Sequence, residues 1–297
     1  MNNILQAAMK WLNDGEFFRE AVERTARDRG YPGELIEKDF FCSLALALIA
    51  EDMPEPVVFK GGTCLSKVYA DFYRLSEDLD FAVSVPVGSS RSERRRVIKP
   101  VKELCGGIEE HCPPLKIIEA LRGANQSTHY FQGLEYQSPT TGRTAQIRIE
   151  FGLREPLLLP PKIKPAGTLL ANPLTGRALF PPFPVRVMAI KELWSEKTRA
   201  ALCRRTPAIR DFFDLDFARG ARQLDFTDPK FIALAGRKIK VPGNIPPQLD
   251  DARFAELERQ KETDLRPVLR SRDFERFDLN RIWTALVVLT DKLQKDA

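Results

Sequence analysis

Apolar and polar residues alternate through 144–151, with Ile147, Ile149 and Phe151 on one side and Arg148 and Glu150 on the other. A period of two predicts a half-buried strand. Short apolar runs at 56–60 and 78–85, the latter stopped by Pro86 and Gly88, read as further strands, as do 115–121 and 128–137. Helical patterns cover 3–29 and 33–50, separated by Pro32-Gly33. A third helix is expected at about 64–73 and a fourth from Arg91 to Cys105. Beyond Pro184 the pattern is helical at about 187–204, 207–221, 228–236, 251–262 and 273–295. The last of these carries a stripe of Ile282, Ala285, Leu286, Leu289 and Leu293. Between the two regimes, 155–184 holds eight prolines and reads as a connection with one short strand near 167–170. The expected organisation is an α/β (α+β) domain over 1–165 with N-terminal helices, a Pro-rich connection over 166–184, and a helical domain over 185–297.

Composition narrows the class. The 297 residues are 43% hydrophobic and 29% charged, as in a soluble globular protein. The longest apolar run, Phe40 to Ala50, is far short of the roughly 20 residues of a membrane span. The N-terminus has no basic region or cleavage pattern of a signal peptide, so a cytoplasmic location without membrane contact is expected. Five scattered cysteines with no C-x-x-C pair, and only His111 and His129, argue for reduced structural thiols and against zinc. Charge is uneven: residues 166–297 carry 24 basic and 18 acidic side chains, while 1–165 carry 22 and 23. A basic half beside an acidic motif suits a polyanionic partner; solvated helix faces explain the same count equally well.

The chemistry concentrates in Phe59-Lys60-Gly61-Gly62-Thr63 and Arg74-Leu75-Ser76-Glu77-Asp78-Leu79-Asp80-Phe81. Asp78 and Asp80, two apart on a strand, are expected on one face, where two carboxylates repel unless a cation such as Mg²⁺ or Mn²⁺ lies between them. Glu150 is the candidate third ligand, or else an exposed partner of Arg148. Gly61 and Gly62 permit close backbone approach by a triphosphate, with amides at a helix start facing phosphate oxygens; there is no Walker A loop. Thr63 either bonds phosphate or caps the helix, and Lys67 is expected at the surface. Lys197 falls on the apolar face of its helix with Ile190, Leu193 and Ala201, either facing triphosphate in an interdomain cleft or snorkelling. Asp211 and Asp214 share a helix face and could bind a second metal, orient Lys197 or contact base or ribose, or simply cap amides and pair with Arg210.

Taken together, these motifs resemble the AbiEii/MenT-type nucleotidyltransferase toxins. The resemblance rests on Ile36-Glu37-Lys38-Asp39, the Phe59–Thr63 and Arg74–Asp80 segments, Ile149-Glu150 with Gly152 and Arg154, Glu196-Lys197, and Arg210 to Leu215. It implies a mixed-sheet nucleotidyltransferase fold of the DNA polymerase β-like superfamily. It implies further that Asp78 and Asp80 hold metal and that Lys197, Asp211 and Asp214 complete the active site. Thr63 stands where many relatives have Ser. Such toxins act in toxin–antitoxin or phage-defence pairs, and some add nucleotides from an NTP to the tRNA 3′ end, blocking translation. On that reading Gly61, Gly62, Thr63, Ser76, Lys197 and Asp214 bind the nucleotide. The arginines at 91, 94, 95, 204 and 205 (Arg91, Arg94, Arg95, Arg204, Arg205) track RNA, and a cognate antitoxin is a partner. Ser76, expected on the face of Asp78, is either a plain hydroxyl or a phosphorylation switch adding negative charge beside the ligands. The alternatives are nucleotide transfer to a protein hydroxyl and an inactive RNA- or partner-binding module. Residues beyond about 225 match no motif.

Overall fold

The computed structural model describes residues 3–221 and 224–295. The chain forms two compact units: one of residues 1–157 with 161–188, the other of 158–160 with 189–297.

The first unit opens with α1 (Asn3–Leu12), α2 (Gly15–Arg29) and α3 (Gly33–Glu51). The single helix expected over 3–29 breaks at Asn13, because the Asp14 carboxylate accepts from the Phe17 amide at 3.1 Å and starts a new helix. α2 stops at Gly30, whose φ of 72° only glycine adopts freely. α3 is buried nearly all round, with Phe40, Phe41, Leu44, Ala45 and Ile49 all inaccessible, which explains its unbroken apolar run.

Then follow β1 (Val57–Lys60), α4 (Gly61–Cys64), a π turn over Leu65–Tyr69, and β2 (Leu79–Val83). The helix expected at 64–73 therefore starts earlier and ends earlier. Asp71 and Phe72 take positive φ and turn the chain, and the Phe72 amide bonds the Ser66 carbonyl at 2.9 Å. α5 (Arg91–Gly106) opens with a capping box between Ser90 and Glu93, and α6 (Ile108–His111) is a single turn. β3 (Lys116–Ala124), β4 (His129–Gln137) and β5 (Thr144–Gly152) form an antiparallel meander.

The Pro-rich stretch is not a plain connection. It supplies β6 (Lys162–Ala166) and β7 (Phe183–Val187), while 167–170 is not a strand. Among the described residues one mixed sheet of seven strands results, in the order β3-β4-β5-β2-β1-β7-β6. The prolines fit because β6 is an edge strand: Pro165 and Pro184 face each other at the end of the β6–β7 pair, beyond the one register position, Phe59 opposite Val187, that joins β7 to β1.

The second unit is helical: α7 (Ile190–Cys203), α8 (Ile209–Ala221), α9 (Pro229–Ile239), α10 (Asp251–Gln260), α11 (Ser271–Arg276) and α12 (Leu279–Lys295). The terminal helix expected over 273–295 divides at Phe277-Asp278. Phe212 stacks on Trp283, and Ile282, Leu286 and Leu289 are fully buried, as the stripe predicts.

Each unit contains a buried, ion-paired lysine. In the first it is Lys67, which corrects the expected surface position: its side chain is 1% exposed and ion-paired with Asp39 at 4%. The ammonium also donates to Ser43 Oγ at 2.6 Å. The second Asp39 oxygen accepts from the Leu169 amide at 2.8 Å and Thr168 Oγ1 at 3.0 Å. In the second unit Lys238 pairs with Glu192 at 2.7 Å and Glu196 at 3.4 Å, and Glu192 accepts from the amides of Leu158 and Leu159 at 2.9 and 2.8 Å. Such pairs contribute little net energy, but removing one member strands the other charge. Asp39→Ala is expected to lower the unfolding free energy by about 3–5 kcal/mol in urea denaturation; a loss near zero contradicts this role for the pair.

Candidate active site

β1 delivers Lys60 and then turns at Gly61, where φ is +79°. The register sets Lys60 opposite Asp80, and Asp80 beside Glu150 on β5. Directly paired residues project to the same side of a sheet, so this is one charged row across three strands. The neighbouring row is Phe59, Phe81 and Phe151, all buried, with Phe81 and Phe151 stacked at 4.8 Å. One face is thus core and the other chemistry.

The glycines are required by close contact. A Cβ on Gly61 would lie 2.2 Å from Asp80 Oδ2, so the carboxylate rests against bare backbone. A Cβ on Gly62 would lie 2.3 Å from an Arg74 guanidinium nitrogen and 3.2 Å from Ser76 Oγ. Arg74 is itself buried and donates to the Leu75 carbonyl at 3.0 Å. Gly61, Gly62, Arg74, Ser76 and Asp80 therefore converge at the start of α4.

Three expectations change here. Thr63 does not cap a helix: α4 begins before it, and its buried hydroxyl donates to the Asp78 carbonyl, tying the glycine turn to the approach of β2. Ser76 and Asp78 precede β2 rather than lying on it, because the strand starts at Leu79. Glu150 keeps its place beside Asp80 but has other partners: Oε1 meets Arg148 Nε at 2.7 Å and Oε2 meets His129 Nε2 at 3.2 Å. The His129 hydrogen bond, then the charges of His129, Arg148 and Lys60, outweigh burial and hold its carboxyl below the usual range. Among the described residues no three His, Cys, Asp or Glu side chains are grouped to hold a metal ion.

Asp78 is the opposite case. Protein crowded around its carboxyl, and then the charges of Asp80 and Glu150, raise its pKa, while Lys38 opposes them. Lys38 is 2.8 Å from Glu77. The roles of Lys38, Lys60, Arg74 and His129 were not drawn from the sequence. Lys38 and Lys60 carried a signal, one within the Ile36–Asp39 motif and the other directly before Gly61.

In the second unit Lys197 Nζ lies 2.8 Å from both Asp211 and Asp214, across α7 and α8. Its side chain is 13% exposed, and the two carboxylates are buried. The snorkelling alternative is thereby removed: the ammonium is drawn inward by two acids. Burial pushes the Asp211 pKa up, but Lys197 and Arg204 outweigh it and the net shift is downward. Asp211 Oδ2 is buried and accepts no hydrogen bond, with Arg204 at 3.4 Å, so it keeps an acceptor in reserve.

The family model described as nucleotidyl transferase AbiEii toxin, type IV toxin–antitoxin system, matches residues 43–286. The chain belongs to the AbiEii family. It is a nucleotidyltransferase of a toxin–antitoxin system, and that membership implies a cognate antitoxin. The fold is similar to that of JHP933 from Helicobacter pylori, with TM-score 0.52 and 16% identity over 90% of this chain and 94% of that one. A second H. pylori structure has TM-score 0.49 and 16% identity over 88% and 94% of the two chains. Among curated proteins none matches.

In this AbiEii chain Arg91 and Arg95 are exposed on α5, and Arg205 is exposed after α7. Arg94 and Arg204 are partly committed, Arg94 to the Gln126 carbonyl at 3.3 Å and Arg204 to Asp211. All five cysteines are buried thiols; burial pushes Cys105 up to about 12, which suits inert structural residues. No described helix is long and apolar enough to cross a membrane.

The lowered Asp211 pKa has a definite sign in stability. Its ion pairs stabilise the fold above the ordinary value of 3.8 and are lost as pH falls through the lower folded value. Lys197→Met is therefore expected to cost about 3–5 kcal/mol at neutral pH, and the difference from wild type should shrink in acid. Denaturation midpoints across pH check this; a cost independent of pH contradicts it.

Proposed function

We propose that this AbiEii-family enzyme transfers NMP from an NTP to an RNA 3′-hydroxyl, the tRNA 3′ end being the acceptor, and so blocks translation. The observation that carries the reading is the Asp80 carboxylate resting on Gly61 at a helix start, with Lys60 and Glu150 on either side. A helix start whose two leading glycines carry no side chain suits a triphosphate. The hard oxygens of Asp78 and Asp80 fit a divalent cation such as Mg²⁺ bound by two carboxylates, with substrate oxygens completing its shell. Burial, and after it the like charge of Asp80, raise the Asp78 pKa, and a bound cation would offset both. Glu150, engaged by Arg148 and His129, serves as a neighbouring charge and not as a third ligand.

The 3′-hydroxyl oxygen attacks the α-phosphorus and releases its proton to solvent, the bond from that phosphorus to the α,β-bridging oxygen breaks, and pyrophosphate leaves with that oxygen. When bound, the cation would offset triphosphate charge and make the hydroxyl more acidic. Gly61 and Gly62 seat phosphates through their backbone, and the Ser76 hydroxyl beside Gly62 adds a polar contact. Thr63 acts indirectly, by fixing Asp78. In the second unit Lys197 bridges the Asp211 and Asp214 carboxylates and fixes both, with Arg204 facing the second Asp211 oxygen. Arg91, Arg95 and Arg205 supply sequence-independent contacts to the acceptor backbone.

With α-labelled NTP, Mg²⁺ and total tRNA, wild type is expected to label RNA and chelation to abolish labelling. Asp80→Ala should lose about a thousandfold in rate. Undiminished labelling by that variant overturns the site, and label appearing on protein instead of RNA overturns the acceptor.

A further inference from the structure

The second unit contains a hollow of about 560 Å³ between the end of α8, the segment leading to α9, and one face of α12. Its walls include Arg219, Leu224, Phe226, Arg281, Val288 and Lys292. The Leu224 amide bonds the Ala218 carbonyl at 2.9 Å, which folds that segment back against α8. None of these residues has a part in the site described above.

One wall of the hollow is the outer part of a prebuilt stack. Phe231 and Phe226 lie nearly parallel, 17° apart with centroids at 5.8 Å. The Arg219 guanidinium lies over the Phe226 ring at 5.5 Å. Phe226 is 6% exposed while Arg219 is exposed, so the guanidinium is the accessible end of the stack. An arginine laid on an aromatic ring is a platform on which an unpaired base can continue the stack.

The surrounding charge is basic. Arg281 is held in a fixed fork by Asp216, with Nε to Oδ1 at 2.9 Å, and Lys292 stands on the same helix. The one acid in the lining, Asp225, accepts from the amide and hydroxyl of Thr227, each at 2.7 Å, and its charge is offset by Lys292 and Arg219, leaving three cations to one acid in the lining. Val288, 50% exposed, adds an apolar surface of a kind that favours the planar face of a base over water.

We propose that this hollow binds one unpaired nucleotide of the acceptor RNA, its base stacked on Arg219 and its phosphate at Lys292 and Arg281. The inference rests on the RNA-acceptor reading and adds a second grip on that strand. An acidic peptide would use the same cations but has no need of the planar stack, so the geometry favours RNA.

The test is the affinity of the full chain for a short, fluorescently labelled single-stranded RNA, read by anisotropy without NTP. Arg219→Ala should weaken binding about tenfold through lost stacking. Arg219→Lys, which keeps charge and loses the plane, should weaken it nearly as much. Lys292→Ala should weaken binding and reduce the salt slope by about one. Unchanged melting temperatures show that these surface variants fold. Wild-type affinity in Arg219→Ala overturns the proposal. Full affinity in Arg219→Lys also overturns it, in favour of a charge-only site such as one for an acidic peptide. A chain that labels RNA in the transfer reaction but ignores Arg219 refutes the hollow and leaves the acceptor reading intact. A wild type that binds no single-stranded RNA refutes both.

Discussion

The Asp80 carboxylate occupies the space that a side chain on residue 61 would need, 2.2 Å from where its Cβ would be. That contact requires glycine twice over, for the space and for the φ of +79°. It also requires the antiparallel register of β1 and β2, which brings Lys60 opposite Asp80. Slipping the register by one residue would send Asp80 into the core and Phe81 out. The stacked Phe81 and Phe151 beneath the sheet prevent that slip. Packing on one face thus fixes chemistry on the other.

Around this contact the protein spends buried charge on position. Lys67 and Asp39 link the turn after the glycines to α3 and to the Thr168-Leu169 segment. Arg74 fills the space beside Gly62, and Thr63 bonds the Asp78 carbonyl. Apolar side chains of similar volume would bury as well, but they would not specify where the backbone sits. In the second unit Lys197 draws Asp211 and Asp214 to one ammonium, and Lys238 does the same for Glu192 and Glu196. These are arrangements of high cost and defined geometry, of the sort an active site uses for preorganisation.

Much of the frame was readable from the chain. Alternation at Ile147, Ile149 and Phe151 is strand β5, and the stripe through Ile282 and Leu289 is helix α12. The glycine pair was recognisable because close backbone approach restricts residue type locally, and Asp80 does lie against it. What was hidden depends on partners distant in sequence. Lys67 meets Asp39 across 28 residues, and Glu150 meets His129 only because β4 and β5 pair. The strands at Lys162–Ala166 and Phe183–Val187 were obscured by prolines that an edge position tolerates. The stack of Phe231, Phe226 and Arg219 has no sequence signature, since its spacing fits no single helix face.

The Asp78–Asp80 approach and the Gly61-Gly62 turn are proposed to form one nucleotide seat. Anomalous diffraction from crystals soaked with Mn²⁺ and a non-hydrolysable NTP analogue tests this directly. The account predicts a manganese peak shared by the Asp78 and Asp80 carboxylates, with the triphosphate on the amides of Gly61 and Gly62. A triphosphate bound with its metal elsewhere, leaving those two carboxylates without a cation, would contradict it.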